Sequence, residues 1–212
     1  MPLLIAVDGP AASGKGTIAR ALAAHFGLPH LDTGALYRAV GLAALRAGVG
    51  LEDAARLAPL AAAVDLSLLD DPALRDRATA EAASRVSAVP EVRAALLALQ
   101  RAFAARPEGA VLDGRDIGTV IAPEADAKLF VTAAPEVRAK RRAAELRAMG
   151  LLVDEAEVLA DIEARDRRDS GRAAAPLRRA DDADLLDTTD LDIEAAVRRA
   201  IELVSARPGR SC

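Results

Sequence analysis

At 212 residues, the chain can bury roughly 70% of its unfolded surface and needs no covalent or metal staples. Hydrophobic residues make up 52% and charged residues 28%, while aromatics are only 2%, so a globular core must come from Leu, Val, Ile and Ala. So few rings leave little for a base-stacking nucleic-acid platform, and a net charge of −4 argues against a polyanion partner. The lone Cys212 excludes a disulfide framework and a cysteine metal site. The opening "MPLLIAVDG" lacks a basic n-region, and no apolar run approaches a membrane span. The expectation is a cytoplasmic protein with neither a membrane nor a nucleic-acid partner.

In chain order, Leu3–Val7 reads as a short buried parallel strand, followed by a glycine loop and the helical pattern "GTIARALAAHFG" closed by Gly27. "LPHLD" is a second strand candidate, and "TGALYRAVGLAALRAG" a helix opened by Thr33. Residues 51–107 change character. Ala-rich helical patterns at about 52–63 and 78–88 flank a brief strand candidate, "VDLSLL", and a longer helix starts at Pro90. Strands resume with 109–114 and 127–133, Pro135 opens a helix to Met149, and "DEAEVLADIEARDRRD" is helical from about 154. "ADLLDTT" supplies a last strand and "DIEAAVRRAIELVSA" a last amphipathic helix. Strands alternating with helices are the grammar of a wound parallel sheet. No internal repeat is present.

Four segments carry chemistry. The first is "VDGPAASGKGT", a near P-loop with Gly9, Gly14 and Lys15 in place. Its glycines let backbone N–H groups converge on phosphate oxygens, and Lys15 adds a mobile charge. Gly16 stands where the pattern expects a hydroxyl, which arrives one residue later as Thr17. The second, "LDTGALYR", sets Thr33 at a helix start with Arg38 nearby; a helix cap and a surface arginine would explain it equally. The third, "LDGRDIG", ends the third strand with Asp113, in the place of the acidic residue that organises a metal's water shell, and then Arg115 and Asp116. The fourth, "EARDRRDSGR", sets Arg165, Arg168, Asp169 and Arg172 on one helix face, unless Ser170 and Gly171 end the helix first. A salt-bridge ladder at about 0.3–0.5 kcal/mol per pair is the plainer reading of that face.

Open α/β sheets bind ligands at the carboxyl ends of their strands, where these segments gather. Phosphoryl transfer requires positioning and positive charge rather than a covalent nucleophile, and several converging arginines suit it.

Together "GPAASGKGT", "LDTGALYR", "LDGRDIGT" and "RDRRDSGRAAAPL" resemble the bacterial cytidylate kinases, in order from Leu3 to about Thr189. The "GKGT" variant is shared with adenylate kinases. Those enzymes and the eukaryotic UMP/CMP kinases carry D-G-[FY]-P-R where this chain has "DGRD", and shikimate kinases keep "GK[ST]". The resemblance implies one α/β kinase domain: a P-loop NTPase-type parallel sheet wrapped by helices. Its core would cover about 1–40, 108–137 and 175–206, with a helical nucleoside-monophosphate insert at about 41–107 and an Arg-rich lid at about 138–174.

It further implies transfer of the γ-phosphoryl of ATP, with Mg²⁺, to CMP or dCMP by a monomer. Gly9, Pro10, Ala11, Ala12, Ser13, Gly14, Lys15, Gly16 and Thr17 would hold ATP, and Thr17 and Asp113 would meet the metal through water. Thr33, Arg38, Arg93 and Arg115 would surround the acceptor phosphate; Ser84, Asp116 and Arg172 would read cytosine; Arg165 and Asp169 would sit at the pentose. Lys15, Arg115, Arg165 and Arg168 would stabilise the migrating charge, and Arg138–Arg142 with Arg165–Arg168 would form the lid. The chain departs from the family where "DDPALRDR" replaces most of a β-rich excursion in the insert, which touches the choice among CMP, dCMP and UMP. UMP or AMP as acceptor, a nucleotide-sensing module without turnover, and a scaffold are the rival readings.

Overall fold

The computed structural model describes residues 2–207; Cys212 lies outside them. Five strands, β1 (Leu4–Asp8), β2 (His30–Asp32), β3 (Ala110–Gly114), β4 (Ala127–Thr132) and β5 (Asp184–Asp187), form one sheet in the order β2-β3-β1-β4-β5. The pairs β1–β3, β1–β4 and β4–β5 are all parallel. β1 and β3 are apolar runs rather than alternating ones because layers cover both faces of a parallel sheet. The chain leaves β1 with β3 on one side and β4 on the other, so the strand order reverses at β1. That reversal opens a crevice at its carboxyl end.

The helices are α1 (Lys15–Phe26), α2 (Thr33–Arg46), α3 (Ala54–Ala62), α4 (Arg77–Val86), α5 (Pro90–Ala104), α6 (Pro135–Ala148), α7 (Glu155–Ser170) and α8 (Ile193–Ser205). The chain packs as two compact units, one of the described residues up to Leu31 and from Arg106 onward, the other Asp32–Ala105.

In the first unit α1 and α8 pack on each other and on the sheet, burying Ile5, Val7, Leu22, Leu129, Val131 and Ala200. α6 and α7 form a hairpin with a small core of its own, Ala139, Ala143, Leu146, Val158 and Ile162. The second unit is helical, with α2 packed on α4 and α3 on α5.

The strand expected at "VDLSLL" is absent: Leu66–Asp70 and Pro72–Arg75 are two 3₁₀ turns. The Asp65 carboxylate accepts from the Ser67 N–H at 2.9 Å, and Asp71 accepts from Ala73 at 2.9 Å. Local side-chain bonds of this kind compete with a ladder, and Pro72 removes a donor. Leu68 and Leu69 instead pack beside Leu42 and Leu74. One helix start also shifts, since Asp32 rather than Thr33 caps α2, its Oδ1 accepting from Ala35 N at 3.1 Å.

Candidate active site

The loop between β1 and α1 is shaped by contacts that only particular residues allow. Gly9 has φ +155°, and a Cβ there would lie 2.0 Å from the Val131 carbonyl oxygen of β4, so no side chain fits. α1 starts at Lys15, after Gly14 in the left-handed region at φ 86°, with no side chain capping its first N–H groups and no acidic residue in its first turn. Such a helix start keeps its amide dipoles available for an anion. The loop is held from behind: the Ser13 carbonyl accepts from Thr188 Oγ1 at 3.2 Å, and the Ala11 carbonyl from Arg138 Nη1 at 3.2 Å. Ala12 packs against the α6–α7 core. At Gly16, the unexpected glycine, a Cβ would rest at 3.7 Å from Arg20 Nη1 and from Asp113 Oδ2, so space does not demand it. Thr17 is exposed and accepts from Arg20 Nη2 at 3.4 Å.

At the ends of β1 and β3 lie three buried carboxylates, Asp8, Asp113 and Asp116. Asp113 shares a hydrogen bond of 2.8 Å with His30 Nε2 through Oδ1, while Oδ2 is the oxygen nearest Gly16. Asp8 accepts from the Ile117 and Gly118 N–H groups at 2.8 Å each. Burial pushes its carboxyl up from 3.8 to about 7, helped by Asp116 and resisted by the two amide bonds and Arg115. Below about 3.8 both the folded and unfolded chains hold the proton, and from there to about 7 only the folded one does. The stability this group contributes is therefore lost as pH rises through that window.

Arg115 leaves the end of β3 and donates from Nε to Asp169 Oδ2 at 2.7 Å. Arg172 donates to the other oxygen of Asp169, and Arg165 stands at 3.9 Å. Burial of Asp169 opposes its ionisation, but Arg115, then Arg172 and Arg165, hold its carboxyl below the usual 3.8. Burial likewise works against the Arg115 cation, and Asp169 outweighs it and keeps Arg115 charged. α7 ends at Ser170, so Arg172 joins this knot from beyond the helix. Arg165, Asp169 and Arg172 are thus brought together with Arg115, whereas Arg168 is exposed on α7.

The α6 arginines are engaged by the protein itself. Arg138 is buried and donates to the Ala133 carbonyl, the Ala11 carbonyl and Asp166. Arg141 donates to Thr188 Oγ1 and to the carbonyls of Thr188 and Leu191. Arg142 pairs with Glu145 at 3.0 Å on the surface.

In the helical unit, Thr33 is buried at the start of α2, and Arg38 lies one turn on, 3.9 Å from Asp32. Arg93 on α5 sits with its guanidinium 5.7 Å over the Tyr37 ring and donates to the Ser87 carbonyl at 3.3 Å. Ser87 Oγ donates to the Ser84 carbonyl, so Ser84 and Arg93 share one buried neighbourhood.

Sequence reasoning missed His30, Thr188 and the bracing role of Arg138. Each acts through a partner 83 to 175 positions away, and nothing local to any of them announces it. His30, one of two histidines in the chain and two residues before the strand-end Asp32, is the nearest to a signal. Among the described residues no group of three metal-ligating side chains occurs, and no helix is long and apolar enough to cross a membrane.

Comparison with known proteins bears on this geometry. The family model for cytidylate kinase matches residues 5–206. A cytidylate kinase of Rhodopseudomonas palustris (strain BisA53) is 60% identical over 209 residues, covering 98% of this chain and 99% of that one. Another, from Methylocella silvestris (strain DSM 15510), is 63% identical over 206 residues, covering 96% and 94%. A gluconokinase from Sinorhizobium meliloti 1021 shares the fold, with a TM-score of 0.56 at 17% identity over 96% of this chain and 92% of that one.

Proposed function

We propose that this chain, which belongs to the cytidylate kinase family, moves the γ-phosphoryl of ATP to CMP or dCMP, giving CDP or dCDP and ADP. The observation that supports the site assignment most is the joining, in one unit, of an uncapped helix start after a glycine loop with the Arg115–Asp169–Arg172 knot. The first suits a bound polyphosphate; the second stores cationic groups next to the same strand ends.

The roles divide by chemistry. Gly9 to Thr17 bind the ATP phosphates through backbone N–H groups, with Lys15 on the outer phosphates. Arg115, Arg165 and Arg168 stabilise the charge that spreads over the transferred oxygens, where one such cation can contribute on the order of 10³ in rate. Thr33, Arg38 and Arg93, with Arg115, bind the acceptor phosphate. Asp116 accepts from the cytosine amino group, with Ser84 and Arg172 on the rest of the base edge, and Asp169 accepts from a sugar hydroxyl. For that last step Asp169 keeps lone pairs beyond those used by its arginines. An acceptor phosphate is already ionised near neutral pH, so no general base is required.

A magnesium ion fits this donor set. One oxygen of the buried Asp113 is held by His30 and the other is directed toward Gly16, beside Thr17, so these residues would bind the ion's waters. When bound it neutralises phosphate charge. We place the enzyme in the cytoplasm, acting as a monomer without nucleic acid.

The test is ADP release from Mg-ATP with CMP, dCMP, UMP and AMP offered singly at equal concentration. CMP and dCMP are expected to react far faster than UMP and AMP. If UMP or AMP wins, the acceptor assignment fails, and if ATP binds without turnover the enzyme reading fails with it.

A further inference from the structure

The phosphate loop contains a conformation that its own residue disfavours. Ala12 has φ 58°, in the left-handed region; among the described residues the only other non-glycine there is Ala175, at φ 51°. Left-handed residues within a run of amides turn the N–H groups to one side, which makes the concavity that takes an anion. Glycine enters that region freely, whereas alanine is disfavoured there by a factor on the order of 10. Ala12 is therefore held from outside. The carbonyls on either side of it both accept side-chain hydrogen bonds: Ser13 from Thr188 Oγ1 and Ala11 from Arg138 Nη1, each at 3.2 Å. Its methyl lies beside the core that Ala139, Ala143 and Ile162 build between α6 and α7.

We propose that Arg138 is a positioning residue for ATP: from α6 its guanidinium holds the phosphate loop in the left-handed turn at Ala12, and Asp166 of α7 fixes the guanidinium that does so. This rests on the assignment of Gly9–Thr17 to the ATP phosphates. Of the two bonds that flank Ala12, the one from Arg138 is the firmer. Thr188 divides its single hydroxyl proton between the Ser13 carbonyl and the Thr132 carbonyl, the latter at 3.1 Å. The buried Arg138 instead gives one nitrogen to each of three acceptors. Nε donates to the Ala133 carbonyl just past β4 at 2.9 Å, Nη1 to Ala11, and Nη2 to Asp166 Oδ2 at 2.6 Å. A planar fork fixed at two corners has its third corner fixed as well. The end of β4 and the face of α7 therefore set where the Ala11 carbonyl lies, and with it the peptide that enters Ala12. Arg138 acts on the nucleotide only through that loop.

Arg138→Lys keeps the charge that faces Asp166 but loses the fork that spans three acceptors. With the loop released, the competent turn at Ala12 is populated about one-tenth of the time. The Kd for Mg-ATP, measured by calorimetry without acceptor, is therefore expected to rise on the order of 10-fold. The same substitution is then made in an Ala12→Gly background, where the left-handed turn needs no brace. There Arg138→Lys is expected to raise the Kd by no more than about threefold. An unchanged Kd in the first background overturns the proposal. An equal rise in both backgrounds does so too, since Arg138 would then act on something other than the Ala12 backbone. Should Arg138→Lys fail to fold, Asp166→Asn keeps the shape of that side chain and removes the charge that fixes the guanidinium. A rise in Kd that Ala12→Gly suppresses is again expected, and an absent or unsuppressed rise is again fatal. Wild-type enzyme that bound no Mg-ATP would instead sink the reading of the loop itself, before any variant is compared.

Discussion

The two compact units differ in how far along the chain their polar side chains reach for partners. In the sheet unit, beside surface pairs such as Arg142–Glu145, several titratable side chains are tied to backbone distant in sequence: the buried Asp8 to two amides, the buried Arg138 to two carbonyls and the half-buried Arg141 to two more. In the helical unit, carboxylates such as Asp65 and Asp71 bond the backbone only two residues on, and Arg46–Asp71 and Arg85–Glu52 pair near the surface, with Arg93 buried. Its helices approach through small residues instead, with Gly41 of α2 against Ala82 and Ala83 of α4. A buried charge bonded to the backbone fixes geometry, because leaving it unpaired is costly. Small-residue packing between helices fixes distance but tolerates adjustment. The rigid device lies where phosphate is expected to bind, and the adaptable one in the unit that carries Thr33, Arg38, Ser84 and Arg93.

The contrast is broken most strongly at Gly9. In Gly9→Ala the new methyl meets a backbone carbonyl at 2.0 Å, and β4 cannot retreat without disturbing the sheet. A loss of about 3 kcal/mol or more in stability is expected, together with loss of ATP binding. Urea unfolding and ATP titration measure both. A variant of wild-type stability that still bound ATP would mean that the loop is not held rigidly by β4.

Gly41→Ala makes the matching change in the helical unit. The Cβ would lie 2.9 Å from Ala83 N and 3.1 Å from Ala82 Cβ. Overpacking costs about 1–3 kcal/mol, and relief from glycine's poor helix propensity returns about 1 kcal/mol, so the net loss is on the order of 1 kcal/mol. Thermal melting should fall by a few degrees while KM for ATP stays within about twofold. A large rise in KM for ATP would show that the two units are not separable in function.

The same contrast explains what the sequence could and could not reveal. The glycine loop, the Asp113–Arg115–Asp116 run and the Arg165–Asp169 face are contiguous, and their chemistry is carried by spacing alone. Asp8 as a distant cap and Arg138 as a brace behind the loop are invisible locally, because each bond closes more than 100 positions of chain. At "VDLSLL", strand-like alternation was overridden by Asp65 and Asp71, whose side chains bond the backbone two residues on. Apolar period identified the sheet and most helices within two residues, since burial sets both. It failed where short polar side chains, not burial, decide the backbone.

The smallest effect is expected at Arg85. Its Nη2 lies 2.7 Å from Glu52, the same separation as Arg115 Nε from Asp169. Distance alone would rank the two pairs equally. The Glu52 side chain is 81% exposed and that of Asp169 only 1%, and this decides the matter. Water solvates Glu52 as well without its partner as with it, so Arg85→Ala should change stability by at most about 0.5 kcal/mol and leave activity unchanged. High salt should already have erased most of the difference. Arg115→Ala removes one of the charges that offset burial of Asp169, which cannot turn to solvent, and should cost several times more in melting and in turnover. Parallel melting curves of the two variants at low and high salt make the comparison. If Arg85→Ala lost as much as Arg115→Ala, burial would not be what separates the rigid unit from the adaptable one.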